Sequence, residues 1–273
     1  ENYWQFRQCI EGLAEACTVL KTPVVSGNVS FYNENPKGAV DPTPMVGMVG
    51  LIKDVDTRVT QWFKNPGDII VLLGAPGAQL AGSEYLYSIH GMKKGNPTID
   101  MREEKAVQDA CYDAIQEGIL ASAHDCSEGG LAVCIAESCI SDGTHLIGVT
   151  IDIKDLTSKG IRTDALLFGE SPSRIVVSVA EKDLNRLEKC ARKHSVSCHV
   201  IGTVGGKDML VRDGETTVID VLVTTANMLW RNAIPSRLKE EGKNKKGGED
   251  GVRENDKENL YEQISDYIDR HWG

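Results

Sequence analysis

The 273-residue sequence predicts a mixed α/β (α+β) fold. Apolar residues recur at three- and four-residue steps in some segments and at two-residue steps in others, the periods of helices and strands respectively. These segments alternate along the chain and are punctuated by Gly- and Pro-rich turns. No short internal repeat is present, which argues against a solenoid or propeller.

The elements follow in order. Phe6, Cys9, Ile10, Leu13, Ala14, Cys17 and Leu20 lie at helical spacing, which predicts a helix over 3–20 that Pro23 ends. Val25, Val29 and Phe31 then alternate with Ser26, Asn28, Ser30 and Tyr32, the pattern of a strand over 24–32 with one polar face. A loop over 33–44 leads to a more apolar strand over 45–52. Asn65-Pro66-Gly67-Asp68 reads as a turn and a domain boundary. Beyond it the sequence predicts a strand over 69–73, a three-glycine loop over 74–82, and helices over 102–120 and 131–140. A strand over 175–180, a helix over 184–194, strands over 198–203 and 218–223, and a helix over 224–233 complete the pattern. Gly202-Thr203-Val204-Gly205-Gly206 lacks the G-x-G-x-x-G spacing of a dinucleotide site and reads as a hairpin turn. The stretch 239–259 is almost wholly charged, Asn or Gly and reads as a disordered tether. Beyond it, Leu260, Ile264, Tyr267 and Ile268 fit one side of a short amphipathic helix that docks on a partner or on the chain's own body, and a frayed tail fits the same residues equally.

Composition narrows the function classes. The chain has 40 acidic against 30 basic residues, a net charge of −10, so nucleic acid is not an expected partner. No apolar run reaches the roughly 18 residues of a membrane helix. The start carries no signal-peptide pattern, and a cytoplasmic location is expected. Glu1 stands in place of an initiator Met, which suggests a processed, trimmed or excised chain. The eight Cys include no C-x-x-C and no His pair at ligand spacing, so reduced thiols are expected rather than zinc or disulfides.

Three segments hold residue types that carry chemistry. In Ser26-Gly27-Asn28-Val29-Ser30, alternation puts Asn28 and Ser30 on one face, and Gly27 admits a close approach to the main chain. An amide oxygen suits Mg²⁺ and a hydroxyl suits a phosphate, although the same pattern describes an ordinary solvated strand face. In His124-Asp125-Cys126-Ser127-Glu128-Gly129-Gly130, Ser127 or Asp125 can cap a helix whose first N–H groups, at Gly129 and Gly130, receive an anion. His124 and Asp125 are either a proton-transfer pair or neighbours pointing to opposite faces, and a tight strand-to-helix turn explains the same residues. In the stretch 167–174, Gly169, Glu170, Ser171 and Arg174 either line a nucleotide or phosphate pocket or hold an ion pair at a strand entrance.

Taken together, these blocks resemble one family closely. Thr22-Pro23-Val24-Val25-Ser26-Gly27-Asn28-Val29-Ser30 and Pro42-Thr43-Pro44-Met45-Val46-Gly47-Met48-Val49-Gly50 are similar to the synthetase subunit of phosphoribosylformylglycinamidine synthase. So are Gly82-Ser83-Glu84-Tyr85, the run 122–131 and Phe168-Gly169-Glu170-Ser171, and the likeness covers nearly all of 1–235. Related aminoimidazole ribonucleotide (AIR) synthetases and selenophosphate synthetases share mainly the His124–Leu131 type of block.

The resemblance implies an AIR-synthetase-like fold: part of an A-type domain over 1–63, a B-type domain over 67–235, and a charged tail over 236–273. It implies an ATP- and Mg²⁺-dependent ligase of de novo purine synthesis. That enzyme phosphorylates the amide oxygen of formylglycinamide ribonucleotide, and glutamine-derived ammonia then displaces phosphate. Carried over by position, Gly27 is an ATP contact, Asn28 a Mg²⁺ ligand and Ser30 a substrate contact. Gly169, Glu170, Ser171 and Arg174 border a candidate structural nucleotide site. No residue here is matched to the family's catalytic group, which lies in the first half of a full-length member. The implied partners are that N-terminal half, a glutaminase subunit or domain and the ribonucleotide. The competing reading is a noncatalytic nucleotide-binding or assembly module of the same superfamily.

Overall fold

The computed structural model describes residues 2–30, 34–36, 38–158 and 160–244. Helix α1 (Asn2–Leu20) forms as its apolar period predicts, braced by an Arg7–Glu11 ion pair one turn apart. It turns its half-buried side toward α3 (Met101–Gln116). Lys21, at φ 56°, ends it.

The strands expected over 24–32 and 45–52 do not form. The described residues 24–30 and 45–52 run without a ladder, and Val25, Met45, Val49 and Leu51 are at least 90% exposed. An alternating pattern states which face wants burial but supplies no neighbour to pair with. Between them lies a short antiparallel ribbon, β1 (Glu34–Asn35) with β2 (Gly38–Ala39), inside the stretch expected to be loop. Phe31 and Tyr32 lie outside the described residues.

The rest of the chain is built on a seven-stranded sheet. β3 (Ile69–Leu73) is central, flanked by β6 (Ile175–Val179) and β7 (Cys198–Val204). β4 (Leu120–Asp125) extends it on one side. β5 (Val149–Asp152), β8 (Asp208–Asp213) and β9 (Thr216–Leu222) extend it on the other, in the order β4-β6-β3-β7-β5-β8-β9. Every pairing is antiparallel except β5 with β8.

Both faces of the sheet are covered, so its central strands are apolar on both sides. Ile70 and Leu72 of β3 point into a core shared with α4 (Gly130–Ile140), α5 (Lys154–Thr157) and α6 (Thr163–Phe168). Val71 and Leu73 point the other way, against α3 and α7 (Leu184–Lys193). Phe63 belongs to the first of these cores and is fully buried.

Four further expectations are corrected. The helix predicted over 102–120 stops at Gln116: Gly118, at φ 65°, breaks it, and the apolar residues that follow open β4. The Gly205-Gly206 turn is no hairpin, because β5 lies between β7 and β8 and bonds to the turn itself, Gly148 N–H to the Gly206 carbonyl at 3.0 Å. α2 (Glu84–His90) follows the three-glycine loop, where none was expected. The last helix, α8 (Val223–Asn244), runs through Pro235 instead of ending before it, so the first residues of the expected tether are helical. Its earlier turns pack on α4, which holds the helix across the one backbone hydrogen bond that Pro removes. The remaining tether and the helix expected around Leu260 lie outside the described residues.

Candidate functional site

Sheet register gathers three loops at one edge. Leu73 at the end of β3 and Asp125 at the end of β4 both face Ile175 at the start of β6. The loop after β3 (74–82), the turn after β4 (125–129) and the segment entering β6 (169–174) therefore meet. Two glycines show how closely. A Cβ on Gly77 would stand 2.2 Å from that of Ser171, and one on Gly130, whose φ is 70°, would stand 2.6 Å from the Gly169 carbonyl oxygen.

Glu170 occupies the centre of this meeting point. Its Oε1 accepts hydrogen bonds from the Glu84 N–H at 2.8 Å and the Gly129 N–H at 2.9 Å, the first residue of α2 and the residue preceding α4. Two helix starts thus share one internal carboxylate, which neutralises donors that have no partner within their own helices. The expected ion pair of Glu170 with Arg174 is absent, because those two amides engage the carboxylate instead. The expected cap from Ser127 or Asp125 is absent as well. Ser127 Oγ donates to Asp125 Oδ2 at 3.0 Å, Gly129 begins α4 in the left-handed region, and the anion at the helix start is the protein's own.

Ser171 and Arg174 tie the segment down from within. Ser171 Oγ accepts from the Gln79 N–H at 2.9 Å, and the Glu170 N–H donates to the Gln79 carbonyl at 2.8 Å. Arg174 is 2% exposed; its Nε donates to the Ser171 carbonyl at 2.9 Å and its Nη2 to the Gly169 carbonyl at 2.6 Å. Burial lowers its pKa, and Nη1 has no hydrogen-bond partner. A cavity of about 600 Å³ opens beside this segment, lined by Ser171, Ser173, Gln79, Arg102 and His194. Of the four residues expected at a nucleotide site, only Ser171 lines that cavity. Gly169 and Arg174 hold the loop from behind, and Glu170 faces the helix starts.

His124 and Asp125 are near neighbours, with Nδ1 and Oδ1 3.5 Å apart at the end of β4. The opposite nitrogen, Nε2, lies 3.0 Å from Glu137 of α4. Burial disfavours the imidazolium, but the Glu137 hydrogen bond and the charges of Glu137 and Asp125 outweigh it, and the His124 pKa is raised.

Gly27, Asn28 and Ser30 lie on an exposed segment that forms neither helix nor strand. A Cβ on Gly27 would meet nothing within 4 Å, and its backbone is not left-handed, so nothing inside the chain requires glycine there. Asn28 alone does not make a Mg²⁺ site, since the ion needs several oxygen ligands. Among the described residues no group of three His, Cys, Asp or Glu could hold a metal. Any ion at Asn28 would take its other ligands from phosphates, water or residues beyond such a group. Among the described residues, no helix is long and apolar enough to cross a membrane. The described cysteines are free thiols.

Sequence reasoning missed the partners of Glu170. They lie 86 and 41 residues away and present backbone N–H groups, which no side-chain pattern records. The Gly82-Ser83-Glu84-Tyr85 block was the one available signal.

Comparison with known proteins extends this picture. The model of the AIR synthase related protein, C-terminal domain, matches residues 65–213, and that of the N-terminal domain matches 1–52. Phosphoribosylformylglycinamidine synthase subunit PurL of Moorella thermoacetica is 42% identical over 236 residues, 86% of this chain and 31% of the relative. The PurL subunit of Alkaliphilus metalliredigens is 42% identical over 235 residues, with the same shares. The chain thus spans about a third of the length of the curated relatives it matches. Among solved structures, T. maritima PurL complexed with FGAR superposes with a TM-score of 0.55 at 24% identity, over 63% of this chain and 30% of that one. T. maritima PurL complexed with ATP gives 0.51 at 22% identity, over 63% and 28%. These likenesses show the same fold, and the family-model matches place the chain: it belongs to the AIR synthase related proteins.

Proposed function

We propose that this chain is the C-terminal part of the synthetase subunit of phosphoribosylformylglycinamidine synthase, an ATP- and Mg²⁺-dependent ligase of cytoplasmic purine biosynthesis. The supporting observation is the 42% identity over 236 residues to PurL subunits. In this reading 1–63 is the remainder of an A-type domain, 67–235 a B-type domain and 236–273 a tail. The whole enzyme converts formylglycinamide ribonucleotide to the formylglycinamidine with glutamine-derived ammonia. Its partners are the N-terminal half of the synthetase and a glutaminase; a solved T. maritima assembly carries the name PurLQS.

Within that enzyme Gly27 contacts ATP, Asn28 supplies one Mg²⁺ ligand and Ser30 contacts the ribonucleotide. The open space around Gly27 supports this, because the missing side chain clears room for a group from outside the chain. Bound Mg²⁺ neutralises phosphate charge during phosphoryl transfer. This chain's part is to present a hard oxygen, a hydroxyl and an uncovered main chain from one segment. It holds no catalytic group, so alone it is inactive.

The test is Asn28→Ala in the full-length synthetase. Turnover should fall at least roughly tenfold, with a higher Mg²⁺ requirement, as loss of one ligand to the transferring phosphates demands. Unchanged turnover and Mg²⁺ dependence would sink the metal assignment.

The cavity against Ser171 and Ser173 favours a second reading, a noncatalytic nucleotide site. Glu170 disfavours phosphate at the adjoining helix starts, since its carboxylate already holds the donors. Nucleotide retained by the full-length enzyme despite a dispensable Asn28 would select this reading.

A further inference from the structure

Helix α8 outruns the body it packs on. Val223 and Ala226, in its first turn, join the core shared with α4, and Val223 is 4% exposed. Trp230, Ile234 and Leu238 follow Val223 at steps of seven and four residues, which keeps them on the same face of the helix. They are 47%, 71% and 64% exposed. A face that begins buried therefore continues as an open row of large apolar side chains, the mark of a surface that another segment covers.

Charge narrows what that segment is. From Val223 to Leu238 the only charged side chains are Arg231 and Arg237, so the exposed row is flanked by cations alone. A second copy of the helix laid against it would bring arginine to arginine. An occupant of opposite sign is favoured, and the chain holds one: residues 254–269 carry six acidic residues, Glu262, Asp266 and Asp269 among them, against a single Lys257. The same stretch places Leu260, Ile264, Tyr267 and Ile268 at helical spacing.

We propose that residues 260–268 fold back along α8 as an antiparallel helix, laying Leu260, Ile264, Tyr267 and Ile268 on the Trp230–Ile234–Leu238 row. Lengths match, since 230–238 and 260–268 each rise about 12 Å as a helix. Reach is sufficient as well. Leu238 lies about 9 Å back from Asn244 along the helix axis, and Trp230 about 21 Å. The fifteen residues 245–259, rich in Gly, Asn and charge, span roughly 20 Å as a flexible chain. A tether of that length holds its end near α8 at an effective concentration on the order of millimolar, which lets a short apolar contact form where a separate peptide would not bind. The docking does not rest on the ligase reading.

The experiment is amide hydrogen exchange on the full chain, read in peptides covering 230–238 and 260–268. In the wild type, 260–268 should exchange at least roughly tenfold slower than a free peptide of the same sequence. Ile264→Asp should remove that protection and speed exchange in 230–238 by a similar factor. Ile234→Asp, on an exposed position, should in turn expose 260–268, an effect at a distance in sequence that local fraying of α8 cannot produce. Protection should survive a roughly hundredfold dilution, as an intramolecular contact requires. Loss on dilution would overturn the proposal in favour of a second copy. Unprotected 260–268, or exchange in 230–238 that ignores Ile264→Asp, would overturn it and leave the row to a surface of another chain.

Discussion

Replacing Glu170 tests whether one carboxylate organises the loops around it. In Glu170→Ala the Glu84 and Gly129 N–H groups, now bonded at 2.8 and 2.9 Å, lose their acceptor. A hydrogen bond to a charged group contributes about 1.5–3 kcal/mol, and water reaches this half-buried site, so the low end applies. Two such bonds give a loss of about 3 kcal/mol. Glu170→Gln keeps an acceptor oxygen but not the charge; neutral bonds are roughly half as strong, so its loss is about 1.5 kcal/mol. Urea unfolding of the full chain measures both. With a slope of about 2 kcal/mol per molar, the midpoint falls by about 1.5 M for Ala and 0.7 M for Gln. Inorganic phosphate should restore part of the Ala loss beyond any effect on the wild type, because a free anion can take the vacated donors. Shifts under about 0.3 M for both variants would refute the carboxylate's role, given the extrapolation error of such measurements.

Other predictions concern packing and protonation. The raised His124 pKa contributes stability that is fully present below the ordinary histidine pKa and is lost as pH rises through the folded value. His124→Gln should therefore cost more at pH about 5.5 than at about 8.5, measured as the difference between wild-type and variant unfolding at each pH. An equal cost at both would show that the ring packs without charging. Gly130→Ala forces a side chain into a left-handed residue and within 2.6 Å of the Gly169 oxygen. A loss of about 3 kcal/mol follows, or roughly 6–12 °C in the melting temperature. A change under about 2 °C would mean that the three loops yield easily. The Asn28 prediction stands with the proposal it tests.

Much of the sheet was legible because its central strands and covering helices have strong periods. Ile69–Leu73 is a continuous apolar run that needs burial on both faces, and α3 and α7 show one apolar stripe each. The helix before β4 was read four residues too long because Ile119 and Leu120 continue the apolar run past Gly118; apolarity extends the pattern where the backbone turns. The β7 to β8 connection was misread because a Gly-Gly turn has the same local chemistry whether or not a third strand lies between its arms. Glu170 was picked out as a charged residue near glycines, but its partners are amides, invisible to any argument from side-chain spacing.

The segment that carries Gly27, Asn28 and Ser30 differs physically from the sheet. Val25, Met45, Met48, Val49 and Leu51 are at least 70% exposed. Fully burying each such side chain is worth about 1.5–3 kcal/mol, roughly 7–15 kcal/mol for five before ordering costs. That is as large as the net stability of a typical domain. Its strand-like alternation therefore makes sense only if other surfaces cover it, and the ligand-type residues lie on that same uncovered stretch. Covering it would at once fix the register of the segment and set the facing of Asn28 and Ser30, since a one-residue slip turns both to the opposite side. Under the proposed reading, covering the segment and setting Asn28 and Ser30 toward a ligand would be one event.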